Sequence, residues 1–223
     1  MRNDKHLAIK LRKKGLSYAK ISKELDIPKS TLSDWFCKIG WSVDIKKELI
    51  RKANYVAKHR LVLLNKKRQA MWEQWREKAR QQARDEFLQF ILNPLFISGI
   101  MLYWGEGDSK LENSIVRISN TSPEMIRLFA LFLQKICLIP KEKLRMSLIL
   151  YPDLKEKKCK QFWSFASGVS ENQFTKTQFI QGRHPTKRLT NGIGIIYVSS
   201  RELKEKIFVW IGLFYKQFAS MRV

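Results

Sequence analysis

The pattern of apolar and polar positions changes period along the chain. Over residues 5–38 short helical patterns alternate with turn signals. His6–Lys14 has a partial apolar face of Leu7, Ile9 or Lys10, and Leu11, and Gly15 closes it in the C′ position, where a positive φ is needed. Ser17 stands as the N-cap of a second helix, Tyr18–Leu25. Asp26-Ile27-Pro28 then forms a turn, and Lys29–Phe36 a third helix. Between Trp41 and Asn93 there is neither glycine nor proline. Residues 43–92, rich in Lys, Arg, Gln, Ala and Glu, predict one or two long helices anchored by Trp72, Trp75 and Phe87.

Beyond Pro94 both periods appear. Leu95–Trp104 is almost wholly apolar and predicts a buried helix. Pro123–Ile136, capped by Thr121 or Ser122, Leu154–Ala166 and Arg201–Phe218 read as helices. Ser114–Ser119, Leu144–Tyr151, Gln173–Gln181 and Ile193–Ser199 read as strands. The fold class is therefore α+β, in three regions: a helical module over 1–40, a long basic helical linker over 41–93 and a compact α+β domain over 94–223. No internal repeat is visible.

Composition narrows the function. With 44% hydrophobic residues the chain can bury a core, which excludes a disordered tail. Its 43 Lys and Arg face 20 Asp and Glu, a net charge of +23, which points to a polyanionic partner, nucleic acid or an acidic membrane. The longest apolar run, Pro94 to Trp104, is too short to span a bilayer, and residues 1–14 contain no secretory apolar core. Cys37, Cys137 and Cys159 are too scattered for a CxxC metal pair and cannot all pair with one another, so the expected setting is reducing and intracellular, cytoplasmic and nucleoid-associated. The basic residues are densest over 44–70, where nine Lys/Arg face only Asp44 and Glu48. Such a run is often a solvated face. Beside the signals below it reads as a phosphate-tracking helix, with Lys46, Lys47, Arg51 and Lys52 as contacts.

A helix-turn-helix needs a small residue inside its second helix, a residue tolerant of positive φ at the turn, and apolar positions that lock the helix pair. Ile21, Leu25, Ile27, Leu32 and Trp35 stand at those apolar positions, and Ser22 is the small residue. Asp26 stands where glycine is usual, and Asp tolerates left-handed geometry better than most residues. Leu16–Trp35 resembles the helix-turn-helix of resolvases and transposases. The resemblance implies that Lys29, Ser30, Thr31, Ser33 and Asp34 face a major groove. The alternative is a helical hairpin packed on the rest of the protein.

The apolar helix ends unusually, in Trp104-Gly105-Glu106-Gly107-Asp108. Small residues suit close helix–helix packing, and the two glycines free the backbone around the acid. Ile97–Asp108 resembles the signature of the LAGLIDADG homing endonucleases, and Gly105-Glu106-Gly107 matches its Ala/Gly-Asp/Glu-Gly ending. Arg117-Ile118-Ser119-Asn120, the helix opened by Pro123-Glu124-Met125-Ile126, and the strands and helices that follow extend the resemblance over roughly residues 94–218. Met101 departs from the family's usual glycine, and Trp104 stands where an acid is common; both make the helix interface bulkier. The resemblance implies a saddle-shaped antiparallel sheet over double-stranded DNA, and a homodimer, since only one signature is present. It also implies Glu106 as catalytic metal ligand for Mg²⁺ in double-strand cleavage. Some members of that family bind DNA as transcriptional regulators without cutting it, which is the alternative function.

The same resemblance places alternate strand residues toward the duplex. These are Arg117 and Ser119 on the first strand, and Arg145, Ser147 and Tyr151 on the second. On Gln173–Gln181 either Lys176 and Gln178 or Thr175 and Thr177 qualify. Lys176 and Gln178 are favoured as catalytic assistants, because Lys can contact phosphate or steady developing charge. In the loop 182–191, Arg183, Lys187 and Arg188, with His184, form a candidate phosphate clamp. His184 with Asn191 lacks the second histidine of an HNH nuclease. The Gly194-Ile195-Ile196-Tyr197 and Trp210-Ile211-Gly212 stretches have the wrong spacing for a GIY-YIG enzyme. Asp108, Asp153 and Glu171 do not assemble a transposase triad.

Overall fold

The computed structural model describes residues 4–181 and 189–219. The chain divides into two compact units, residues 1–72 and 73–223. The first opens with α1 (Lys5–Lys13), α2 (Tyr18–Leu25) and α3 (Lys29–Phe36). Their boundaries follow from local chemistry. Gly15 takes φ +87°, and Ser17 Oγ accepts the Lys20 amide as the α2 cap. Asp26 ends α2 in the left-handed region at φ 49°. Ala8, Ile21, Ile27, Leu32 and Phe36 form the small core, with Leu25, Trp35 and Trp41 packed against it in part.

The helix α4 runs unbroken from Gly40 to Phe90, one helix rather than two. Ser42 is buried in the first unit, while Ala79, Ala83 and Phe87 are buried in the second. The long helix therefore contributes to both units. Residues 51–74 are exposed on every side, and Trp72, expected to anchor the helix, is 54% exposed.

The second unit adds α5 (Pro94–Glu106), β1 (Ile115–Asn120), α6 (Pro123–Lys135), β2 (Arg145–Leu150), α7 (Glu156–Ser167), β3 (Gln178–Phe179), β4 (Ile193–Ser199) and α8 (Arg201–Ala219). The sheet order is β1-β4-β2-β3. β4 pairs antiparallel with both β1 and β2, but β3 is a two-residue edge lying parallel to β2, so the sheet is mixed rather than antiparallel. The strand expected over Gln173–Gln181 shrinks because side chains tie that segment down irregularly. A 3₁₀ turn covers Glu171–Gln173, Gln173 Nε2 donates to the Lys141 and Leu144 carbonyls, and Thr177 Oγ1 donates to Glu156 at 2.7 Å.

One face of the sheet is core. Val116, Ile118, Met146, Leu148, Leu150, Ile196 and Val198 are buried there with Phe129, Phe132, Trp163 and Trp210. Burying each large apolar side chain contributes on the order of 1.5–3 kcal/mol. Among the described residues the other face is left open.

Candidate nucleic-acid interface and acidic helix end

In the first unit the turn presents α3 outward. Leu32 and Phe36 are buried beneath it, Lys29, Ser30 and Asp34 are exposed, and Thr31 and Ser33 are half-buried. Pro28 is the N-cap of α3 and provides no side-chain cap, so the amide-rich positive end of the helix is open to an anion. A group that patterns do not reveal holds the module together. Arg12 is buried, donating from Nε to Ser42 Oγ at 3.0 Å, from Nη2 to Ser42 O at 2.7 Å and from Nη1 to Leu16 O at 2.7 Å. Its guanidinium lies 4.5 Å from the Tyr18 ring centroid. Burial holds its pKa below the ordinary arginine value, with Tyr18 opposing the shift. Nothing in the local pattern marks Arg12 as buried, since its partner is 30 residues away. On α4, Lys46, Lys47, Arg51 and Lys52 are all exposed. Lys47 pairs with Asp44 at 3.5 Å, and Arg51 and Lys52 pair with Glu48 at 3.0 and 3.6 Å. Such solvated pairs are weak and leave the cations available to phosphate.

In the second unit the predicted strand residues gather on the open face. Arg117, Ser119, Ser147 and Gln178 line a groove of about 420 Å³ together with Ile115, Ile149, Ile195 and Tyr197. Arg145 stands opposite Tyr197 in the ladder, and its Nη1 donates to the Glu142 and Leu144 carbonyls. Lys176 is exposed but does not line the groove, and Thr175 is turned toward the sheet, where it receives the Tyr197 hydroxyl at 3.2 Å. Tyr151 falls beyond the end of β2. Arg183, Lys187 and Arg188, with His184, lie outside the described residues.

The helix α5 is not buried all round, as its apolar composition suggests. Phe96, Gly99, Ile100 and Tyr103 face the core, whereas Met101 and Trp104 are exposed; Ile97, one turn before Met101, is half-buried and packs in part against the core. Trp104 meets the exposed Tyr215 of α8 edge to face, with centroids 6.1 Å apart. The glycines divide their work. A Cβ on Gly99 would sit 2.1 Å from Phe132 Cγ, and one on Gly107 2.3 Å from Tyr103 O, so both are required inside the chain. A Cβ on Gly105 would meet nothing within 4 Å. Of these three glycines, Gly105 alone is therefore free for close approach by another molecule.

Glu106, the last residue of α5, is exposed and makes no ion pair or side-chain hydrogen bond among the described residues. The next residue joins the sheet, where Gly107 bridges to Ile118. Asp108 turns inward instead. It accepts from Lys110 N at 3.0 Å and Asn113 Nδ2 at 2.9 Å, and lies 3.3 Å from Arg117 and 3.8 Å from Lys204. The Lys110 amide, and then the two cations, hold its carboxyl below the usual range. Lys204 is fully buried, and its Nζ donates to Ile115 O at 3.1 Å. Burial lowers its pKa, with Asp108 opposing. Asp108 thus caps the turn and lies beside a buried cation that it helps to neutralise. No group of three or more His, Cys, Asp or Glu able to hold a metal occurs among the described residues.

Compared with known proteins, residues 4–38 match the homeodomain-like domain family, a helix-turn-helix class, in agreement with the geometry of α1–α3. The match supports DNA binding by this module. No curated protein and no solved structure matches the chain. No described helix is long and apolar enough to cross a membrane.

Proposed function

We propose that the chain is a sequence-specific, homodimeric DNA-binding protein of the LAGLIDADG type that cuts both strands by metal-dependent phosphodiester hydrolysis. The observation that carries this reading is α5. Its outer face is apolar and exposes Met101 and much of Trp104, it ends in a carboxylate without an ion-pair or hydrogen-bond partner among the described residues, and its next residue joins the sheet whose open face bears Arg117 and Arg145. One carboxylate per chain is half a site. A two-fold copy packed on Ile97, Met101 and Trp104, with Gly105 at the closest approach, supplies the other half. Glu106 suits Mg²⁺ as a hard oxygen donor at the negative end of a helix dipole, because Mg²⁺ takes one or two carboxylates and fills its remaining positions with water and phosphate oxygens. A cation held there supplies neutralisation of phosphate charge and a more acidic water. Among the chain's own residues, α3 reads bases, Lys46, Lys47, Arg51 and Lys52 contact phosphates, and Arg117, Ser119, Arg145 and Ser147 engage the duplex. Gln178 orients water, and Lys176 balances charge.

A second reading, a regulator that binds without cutting, is favoured by the inward turn of Asp108, which leaves a single free carboxylate at the helix end. A supercoiled plasmid library with Mg²⁺, run with wild type and Glu106→Gln beside gel shifts in EDTA, separates the two. The expected result is cleavage reduced by several orders of magnitude in Glu106→Gln, with metal-free affinity unchanged or slightly raised. Equal cleavage by both overturns the site. A bound target left uncut by wild type with any divalent metal selects the regulator.

A further inference from the structure

The open face of the sheet is less polar than phosphate contact alone requires. The strand register lays it out in three cross-strand rows: Arg117–Tyr197–Arg145, Ser119–Ile195–Ser147, and Ile193–Ile149–Gln178. Successive rows are two residues apart along each strand, about 6.8 Å, which is roughly two base-pair steps of B-DNA. The isoleucines here do not serve the core. Ile118, Ile196 and Leu148 fill the opposite face, while Ile195, Ile149 and Ile193 stand half-exposed on this one. Isoleucine gains nothing from a phosphate. Within a major groove, the apolar group that base edges offer is the C5-methyl of thymine, and arginine at the edge of the same face finds guanine O6 and N7 or a phosphate. The flanking Arg117 and Arg145, and a chain charge of +23, make a nucleic acid rather than a neutral protein surface the complementary occupant.

Resting on the DNA-binding reading above, we propose that Ile195 and Ile149 are specificity-determining residues that take pyrimidine C5-methyl groups in the major groove. The sheet then prefers sites with thymine, or 5-methylcytosine, beneath the middle rows, while Arg117 and Arg145 read or clamp the adjoining step. Ser119 and Ser147, which flank Ile195, accept either base type and leave the methyl contact to decide.

The test uses the full chain in EDTA. Its preferred site is enriched from a random-sequence duplex pool, and each thymine is then replaced in turn by uracil, which removes only the methyl group. Affinities are read by fluorescence anisotropy at one fixed salt concentration. Wild type should bind about three- to fivefold more weakly at one or two positions per half-site, the effect of failing to bury one methyl group. Ile195→Ser and Ile149→Ser should each bind the thymine and uracil duplexes equally at the position that the replaced isoleucine reads, keeping the wild-type salt slope. A tightly bound site indifferent to uracil at every position overturns the proposal and leaves the DNA reading standing. So does a methyl effect that persists undiminished in both variants, because the methyl is then read by another element. Failure to bind any duplex overturns the DNA reading and this proposal with it. A variant that folds poorly does not obscure the outcome, since the wild-type thymine-to-uracil ratio already decides whether methyl groups are read.

Discussion

Replacing Asp108 by Asn keeps the shape and most of the hydrogen bonding of the side chain but removes its charge. The turn survives in part, since the remaining carbonyl oxygen can still accept from Lys110 N. The cost falls on Lys204, which is 0% exposed and then retains the Ile115 carbonyl and the weaker attraction of Glu112 against the like-charged Arg201 and Arg117. Orphaning one member of a buried pair costs about 3–5 kcal/mol. The 3.8 Å separation and the half-exposed Arg117 beside it place this case at the low end, about 3 kcal/mol. For a unit of this size that lowers the melting temperature by roughly 6–12 °C. Lys204→Met in the Asp108→Asn background should restore most of the loss, because both charges are then gone. Thermal unfolding, with hydrogen exchange of the β1 amides as a local probe, measures both effects. An Asp108→Asn variant melting within 1 °C of wild type, or a double variant worse than either single one, would refute the pairing argument.

Gly99→Ala forces a methyl group into Phe132 and should cost about 1–3 kcal/mol. Gly105→Ala meets nothing inside the chain and should raise monomer stability by up to about 1 kcal/mol through helix propensity, while weakening self-association measured by sedimentation. Replacing Lys46, Lys47, Arg51 and Lys52 by Gln should weaken binding to all DNA sequences alike and flatten the salt slope by about 0.9 per lost phosphate contact, read from titrations between low and moderate salt. Glu156 is held below the ordinary glutamate pKa by Lys160 and then by the Thr177 hydroxyl. Its contribution to stability is therefore present above pH 4.5, the ordinary value, and lost as pH falls through the depressed folded value. Stability of wild type should thus drop more steeply below pH 4.5 than that of Glu156→Gln, as followed by urea unfolding at stepped pH.

Much of this architecture is legible because local chemistry decides it. Ser17, Asp26 and Pro28 mark α2 and α3, and the absence of Gly and Pro from Trp41 to Asn93 announces α4. The open sheet face follows from simple alternation, which brings Arg117, Ser119, Ser147 and Gln178 together. Long-range pairing is what stays hidden. The Asp108–Lys204 pair and the Arg12–Ser42 contact join distant segments that no local period connects. The alternating run at Gln173–Gln181 misleads because threonine hydroxyls bind neighbouring elements instead of sustaining a ladder. The α5 run misleads in another way. Hydrophobicity does not distinguish a side chain facing the core from one left exposed, so Met101 and Trp104 look like core residues and are not.

The most direct test of the account is the stoichiometry and symmetry of the DNA complex. The chain is bound in EDTA to a duplex it has selected, the mass of the complex is measured by light scattering, and the duplex is footprinted with hydroxyl radicals. A two-fold dimer gives two chains per duplex and a two-fold symmetric footprint, with the central protection altered by Glu106→Gln only when Mg²⁺ is added. One chain per duplex with a single one-sided footprint, or no protection at all, would contradict it.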